Sequence, residues 1–372
     1  MHPLSLKTQG CKRRLLLLLL IQACTATALT HSKPSKPPAC TAAALACRWE
    51  CIPGRRDPGC YTVELLVQPT AAVDDITLVT QTTRDKARHL KRALKTWGGP
   101  ASIAFYAYTG EDLAFFSNFS CNNCTISVVY GGTRKQAYPI NLLRNVALIA
   151  AQTSHAFLFD TDFLPCAGLH HLLTAHLAAQ SGVSRTGWVI PAFEMKRKMR
   201  DVPTDFQALR KALKVGAVGV FHGRRGGHLN TQNSRWLNTS KHYCLKHTAR
   251  SYEPYLVLRK TEPDFPLFDP MFVDRGMNKV RSRCPCLICT QLTPQFSLQV
   301  MWVKALKALS YRFCVVPRAW VVHVYERQPK YRPFFASGRG GTKDSLKILR
   351  RREISGKSIS LQLPEIQTPS HG

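Results

Sequence analysis

The segment Thr153-Ser-His-Ala-Phe-Leu-Phe-Asp-Thr-Asp-Phe-Leu-Pro165 carries the strongest structural signal in the chain. Residues 155–159 form a short apolar run of strand length, flanked by polar residues, and two acids follow directly. Asp160 and Asp162 stand at i and i+2, so an extended backbone projects both carboxylates to one side. At a strand's open end, such a pair can hold a hard divalent cation through oxygen and leave positions for water and phosphate oxygens. Acids at strand ends are also ordinary structural punctuation, so the neighbouring sequence must decide between the two readings.

Working outward, the same alternation repeats. Upstream, residues 76–80 read as a strand, and residues 84–97 as a helix whose stripe is Ala87, Leu90, Leu94 and Trp97. Residues 101–108 give a second strand, and residues 138–151 a helix that tolerates Pro139 in its first turn. Downstream come a helix over 166–179 and strands over 187–193, 255–258 and 313–325. Strands alternating with helices predict an α/β fold, a single mixed sheet flanked by helices. Ligands in such sheets gather at the carboxyl ends of strands, which is where Asp160 and Asp162 lie.

The termini read differently. Lys7, Lys12, Arg13 and Arg14 precede six leucines at 15–20, a secretory-pathway address. It divides the N-terminus into a cytosolic segment, 1–14, and a signal peptide or signal-anchor, 15–30; cleavage and membrane anchoring both remain open. Residues 31–62, rich in Pro and Cys, read as a stem, residues 63–336 as the catalytic domain, and residues 337–372 as a loose basic tail. In an oxidising lumen the fourteen cysteines make disulfides the expected state. Cys284-x-Cys286-x-x-Cys289 also allows zinc, although no second ligand pair sits at a standard spacing. Three glycosylation sequons, at Asn118, Asn123 and Asn238, agree with a lumenal fate.

The 372-residue chain carries 52 Lys+Arg against 22 Asp+Glu, a net charge of +30. Its cations are dispersed, without a zinc-finger, basic-zipper or RNA-binding signature, so no nucleic-acid partner is expected. An anionic small substrate fits the charge at least as well. The basic stretch Lys196-Arg-Lys-Met-Arg200 suits an acidic donor or glycan, or a solvated loop.

Several colinear motifs make the sequence more specific. They are Leu78-Val-Thr-Gln81, Trp97-x-Gly-Pro100, Tyr138-Pro-Ile-Asn-Leu-Leu-Arg-Asn-Val-Ala147 and the acidic segment itself. Further along come Ile190-Pro-Ala-Phe-Glu194, Gly227-His228, Glu253-Pro-Tyr-Leu-Val257, Phe268-Asp269 and Val321-Val-His323. Across about residues 75–335 the chain resembles the LARGE-type glycosyltransferases.

The resemblance implies a GT-A-type nucleotide-sugar transferase fold, Mn2+ dependence, and a single-pass type II protein of the Golgi membrane with a lumenal catalytic domain. It also implies an inverting transfer from a UDP-sugar, with glucuronic acid expected, to a glycan or glycoprotein acceptor. UDP-xylose or UDP-N-acetylglucosamine donors remain alternatives, as does a glycan-binding relative without turnover. By the same resemblance Asp160, Asp162 and His323 are the metal ligands, and Asn141, Arg144, Asp160 and Thr161 contact the donor. Asp269 is the expected catalytic base, with Asp274 and Glu194 as alternatives. Asp274 stands where relatives usually carry Gly, and Glu326 stands where many carry a second histidine.

Overall fold

The computed structural model describes residues 46–51, 60–68, 74–130, 138–180, 182–196, 202–223, 227–249, 251–270 and 298–324. The leader, the tail, Asp274, the Cys284–289 cluster and residues 197–200 of the basic stretch lie outside them. No helix among the described residues is long and apolar enough to cross a membrane.

The expected single sheet is two sheets. In chain order the larger contains β1 (Ala46–Cys51), β2 (Cys60–Val67), β3 (Ile76–Thr82), β4 (Ala101–Tyr106), β5 (Cys124–Tyr130) and β6 (His155–Leu158). β8 (Thr186–Ile190), β11 (Tyr243–Cys244), β12 (Tyr255–Arg259) and β13 (Arg312–Val315) complete it. The smaller contains β7 (Phe163–Pro165), β9 (Ala192–Met195), β10 (Val218–Val220) and β14 (Val321–His323). Two expected strands are each divided between the sheets. Pro191, which has no N–H to donate, separates β8 from β9, and residues 316–320 separate β13 from β14.

The stem also gives way. Residues 46–51 pair antiparallel with β2 from Ala46↔Leu65 to Cys51↔Cys60, so the sheet begins before the expected domain boundary. The Pro and Cys content concealed a hairpin that extends the sheet beyond β5.

The larger sheet runs β1-β2-β5-β4-β3-β6-β12-β8-β13-β11, with β5, β4, β3 and β6 mutually parallel. From β3 the chain moves through α1 (Ala87–Trp97) to β4 on one side. From β5 it returns through α3 (Ile140–Ala150) to β6 on the other side. Strand order therefore reverses between β3 and β6, which opens a crevice at their carboxyl ends. The remaining helices are α2 (Gly110–Ser117), α4 (Leu169–Ala178), α5 (Phe206–Lys214), α6 (Asn233–Leu237) and α7 (Leu298–Ala308).

Both faces of the parallel strands are covered. Leu78, Ile103, Phe105 and Phe157 join Leu90 and Trp97 of α1 in one core; Val79, Ala104, Tyr106 and Ala156 join Leu142, Leu143 and Val146 of α3 in the other. Burying each large side chain contributes about 1.5–3 kcal/mol. In α1 the buried positions are Ala87, Leu90, Ala93 and Trp97, with Leu94 at the margin, close to the expected stripe. The helix stops at Gly98, whose φ of 73° is left-handed and whose N–H donates to the Leu94 carbonyl. Two disulfides, Cys121–Cys124 and Cys244–Cys314, occur among the described residues, the second joining β11 to β13. Asn118, Asn123 and Asn238 are all exposed.

Candidate active site

After β6 the chain turns sharply. The Phe163 N–H donates to the Asp160 carbonyl at 3.1 Å, so Asp160-Thr161-Asp162-Phe163 is a turn and not the extended segment the spacing suggested. The alternation argument for the two carboxylates therefore fails, and the turn itself presents them. Thr161 is buried within it. The Val324 N–H donates to the Asp162 carbonyl at 3.0 Å, which fixes the turn against the end of β14.

Asp160 is half-buried and held on both oxygens. Arg144 from α3 brings Nη2 within 3.4 Å of Oδ1, and the Tyr255 hydroxyl from β12 donates to Oδ2 at 2.9 Å. Burial first, and then the carboxylates of Asp160 and Asp162, push the Tyr255 phenol well above its ordinary value, so it stays protonated. Its ring lies between Phe163, at 4.7 Å, and the near-parallel ring of His228, at 5.9 Å. Burial and then neighbouring His222 press the buried His228 down to about 3, so this ring is neutral.

Asp162 meets His323. The register of β14 against β7 sets His323 opposite Phe163, and its Nε2 lies 3.7 Å from Asp162 Oδ2. Burial opposes ionisation of Asp162, yet the His323 ring, followed by the Lys86 ammonium, outweighs it and brings the carboxyl down to about 2. The 3.7 Å gap is long for a direct hydrogen bond. Metal–ligand bonds of about 2.1 Å would place two neighbouring ligands on one ion about 3.0–3.4 Å apart, so the carboxylate and the imidazole, at 3.7 Å, need move only a few tenths of an ångström to share a divalent cation. Among the described residues no three His, Cys, Asp or Glu side chains make a complete metal-holding set. The expected triad is therefore assembled only in part: Asp162 and His323 are together, while Asp160 is occupied by Arg144 and Tyr255.

Asn141 is 2% exposed; its Nδ2 donates to the Asp269 carbonyl at 2.8 Å, and its Oδ1 faces Arg144 Nη1 at 3.4 Å. Asn145, one turn on, exchanges two hydrogen bonds with the backbone of Phe268, at 2.7 and 2.9 Å. Asn141 thereby ties the backbone of the half-buried Asp269 to the Arg144 side chain, whose guanidinium sits 5.2 Å from the Phe268 ring. Glu194 on β9 is in register with His323 on β14.

Arg144, Asp160, Tyr255 and Phe268 line a shallow cleft at the carboxyl ends of β3 and β6, together with Thr80 and Trp302. Tyr255, His228 and Trp302 carried no expected role. The first two stand in motifs that the resemblance includes, so position was legible and contact was not.

A family model described as glycosyl-transferase for dystroglycan matches residues 117–334. The xylosyl- and glucuronyltransferase LARGE2 of Mus musculus is 33% identical over 266 residues, covering 69% of this chain and 35% of that protein. LARGE1 of Homo sapiens, also a xylosyl- and glucuronyltransferase, is 30% identical over 274 residues, covering 71% and 33%. The chain spans about a third of the length of the curated relatives it matches. Among solved structures, GalNAc-T7 with UDP, GalNAc and Mn2+ is 12% identical with a TM-score of 0.42, covering 76% of this chain and 48% of that one. S. aureus TarS 1-349 in complex with UDP is 11% identical with a TM-score of 0.37, covering 68% and 61%.

Proposed function

Because the chain belongs to the family of glycosyl-transferases for dystroglycan, we propose that it transfers a sugar from a UDP-sugar to a glycan or glycoprotein, with inversion, on a GT-A-type fold. The proposed donor is UDP-glucuronic acid, the cofactor Mn2+, and the location the Golgi lumen, reached as a single-pass type II membrane protein. The observation that carries the reading is the approach of Asp162 and His323 to 3.7 Å beside Asp160, at the crevice where strand order reverses.

The residues present fit a divalent ion through Asp162 and His323, with Asp160 next to them in the same turn. Such an ion, when bound, neutralises charge that develops on the departing diphosphate. Arg144 offers a planar fork to a phosphate or to the carboxylate of a uronate donor. Tyr255 and Arg144 fix the orientation of Asp160 before donor arrives. Phe268 and Trp302, stacked at 4.6 Å, form an apolar wall of the cleft. On the acceptor side Asp269 accepts the hydroxyl proton, positioned through the Asn141 bond to its carbonyl. Glu194 is the alternative base, through its place beside His323.

The names of the relatives support a xylose donor as well as a glucuronate one. A panel of UDP-sugars assayed for UDP release, with and without Mn2+, separates them. Release from UDP-glucuronic acid that requires the metal is the expected result. No metal-dependent binding of UDP by calorimetry removes the enzyme reading altogether.

A further inference from the structure

Two imidazoles meet on the larger sheet away from the cleft. His176, half-buried near the end of α4, has its ring centre 5.5 Å from that of the exposed His242, which directly precedes β11. Trp188 of β8 lies edge-on to both rings, at 4.6 and 5.5 Å. In the order β6-β12-β8-β13-β11 this corner is two to four strands from β6, the strand that leads into Asp160. Its parts are linked. Cys314 on β13 stands in register with Trp188, and the disulfide from Cys314 to Cys244 ties down β11 two residues after His242.

His176 also has an unmet requirement. Its Nε2 is buried and has no hydrogen-bond partner among the described residues. A buried polar atom left in that state costs free energy unless another group meets it. Burial, and then His242, bring this ring down to about 4, so at neutral pH it is uncharged and keeps a lone pair. Zn–N bonds of about 2.0–2.1 Å at a tetrahedral angle would place the centres of two imidazoles on one ion about 5–5.5 Å apart, and the observed separation is 5.5 Å. No third His, Cys, Asp or Glu completes the set among the described residues, which leaves water for the other positions.

We infer that His176 and His242 form a metal site of their own, separate from Asp162 and His323, in which Zn2+ or Cu2+ clips α4 to β11. Paired imidazoles suit these two ions, whereas Mn2+ stands lowest in the order of affinity for such ligands.

The test titrates Zn2+ into the full chain by calorimetry, without nucleotide, at about neutral pH so that imidazole is free to bind. His242→Asn, a change at an exposed position, should keep the fold by circular dichroism and weaken one Zn2+ binding component by more than about tenfold. Removing even the outer partner of a metal ligand costs about 10–100-fold, and this variant removes a ligand. His176→Asn should weaken the same component, and Asp162→Asn should leave it within about twofold. Zn2+ should raise the Tm of the unmodified chain more than that of His242→Asn. Cu2+ should quench tryptophan emission through Trp188, and both histidine variants should lose that quenching. No Zn2+ binding by the unmodified chain, or binding unchanged in His242→Asn, overturns the inference and leaves His176 as a packing contact of Trp188. Loss of the same component in Asp162→Asn overturns it too, because the ion would then belong to the cleft.

Discussion

Two aspartate–histidine pairs lie near opposite ends of the parallel strands. Before β3, Asp75 Oδ1 accepts from the Ile76 N–H at 2.6 Å and meets His170 Nε2 at 2.8 Å, while Trp97 packs edge-on against the histidine at 4.9 Å. After β6, Asp162 and His323 stand 3.7 Å apart on a turn, with Asp162 34% exposed at its side chain. Residue types are the same. The first pair is closed by a direct hydrogen bond in a packed corner; the second is held apart on the turn that carries Asp160, which lines the cleft. Separation and surroundings, not composition, mark one pair as structural and the other as a candidate for chemistry.

Asp162→Asn tests the contrast most strongly. Losing the ionised ligand should lower UDP-sugar turnover about a thousandfold, several kcal/mol of transition-state stabilisation, while the protein keeps its fold by circular dichroism. Asp75→Asn should leave turnover intact and lower the Tm. If the two variants behaved alike, the distinction between the ends of the sheet would disappear.

Acid should weaken both ends. Burial, then Arg259, brings His155 down to about 4 at the start of β6, and burial, then His222, brings His228 to about 3 beside Tyr255. Both rings are neutral when folded and take up a proton when unfolded below about pH 6.5. The unfolded chain then binds more protons, so stability is lost as the pH falls from about 6.5 toward those lower values. Tm should hold above pH 7 and fall by about 5–10 °C by pH 4. His155→Asn and His228→Asn should each flatten part of that slope, and a flat profile in the unmodified protein contradicts the argument.

Gly99 is a smaller lever on the closed end. A Cβ there would fall 2.4–2.6 Å from ring atoms of His170. Gly99→Ala should turn that ring away from Asp75 at a cost of about 1–3 kcal/mol, seen as a lower Tm with unchanged turnover at 25 °C. Equal Tm values would mean that the His170 contact carries no strain.

The sequence was most legible where one rule acted alone. Helix α1 shows a clean stripe because its other face is wet, and β3 and β6 show as short apolar runs because both of their faces are buried. Legibility failed where tertiary pairing decided. β7, β9, β10 and β14 are each three or four residues long and exist through one another, so no local pattern announces a second sheet. The turn at Asp160 is not legible from spacing, because i, i+2 acids fit extended backbone equally well. Asp162 and His323 were legible as candidates through the resemblance, whereas the grip of Tyr255 on Asp160 depends on β12 pairing antiparallel with β6 and lies beyond any local pattern.

Tyr255→Phe addresses that last contact with a minimal change. The ring stays between Phe163 and His228, so packing is preserved, and the variant loses only the hydroxyl that donates to Asp160 at 2.9 Å. Arg144 still faces the other oxygen. One charge-assisted hydrogen bond is worth about 1.5–3 kcal/mol in full, and a carboxylate at the edge of a cleft recovers part of that from water. A loss of about tenfold in kcat/KM is therefore expected, with little change in Tm. If Tyr255 acts by orienting Asp160 toward bound donor, the loss appears in KM for the UDP-sugar and in UDP affinity by calorimetry. A loss confined to kcat would instead assign the hydroxyl to the reacting atoms, and a fall in Tm without either would make it a packing contact like His170.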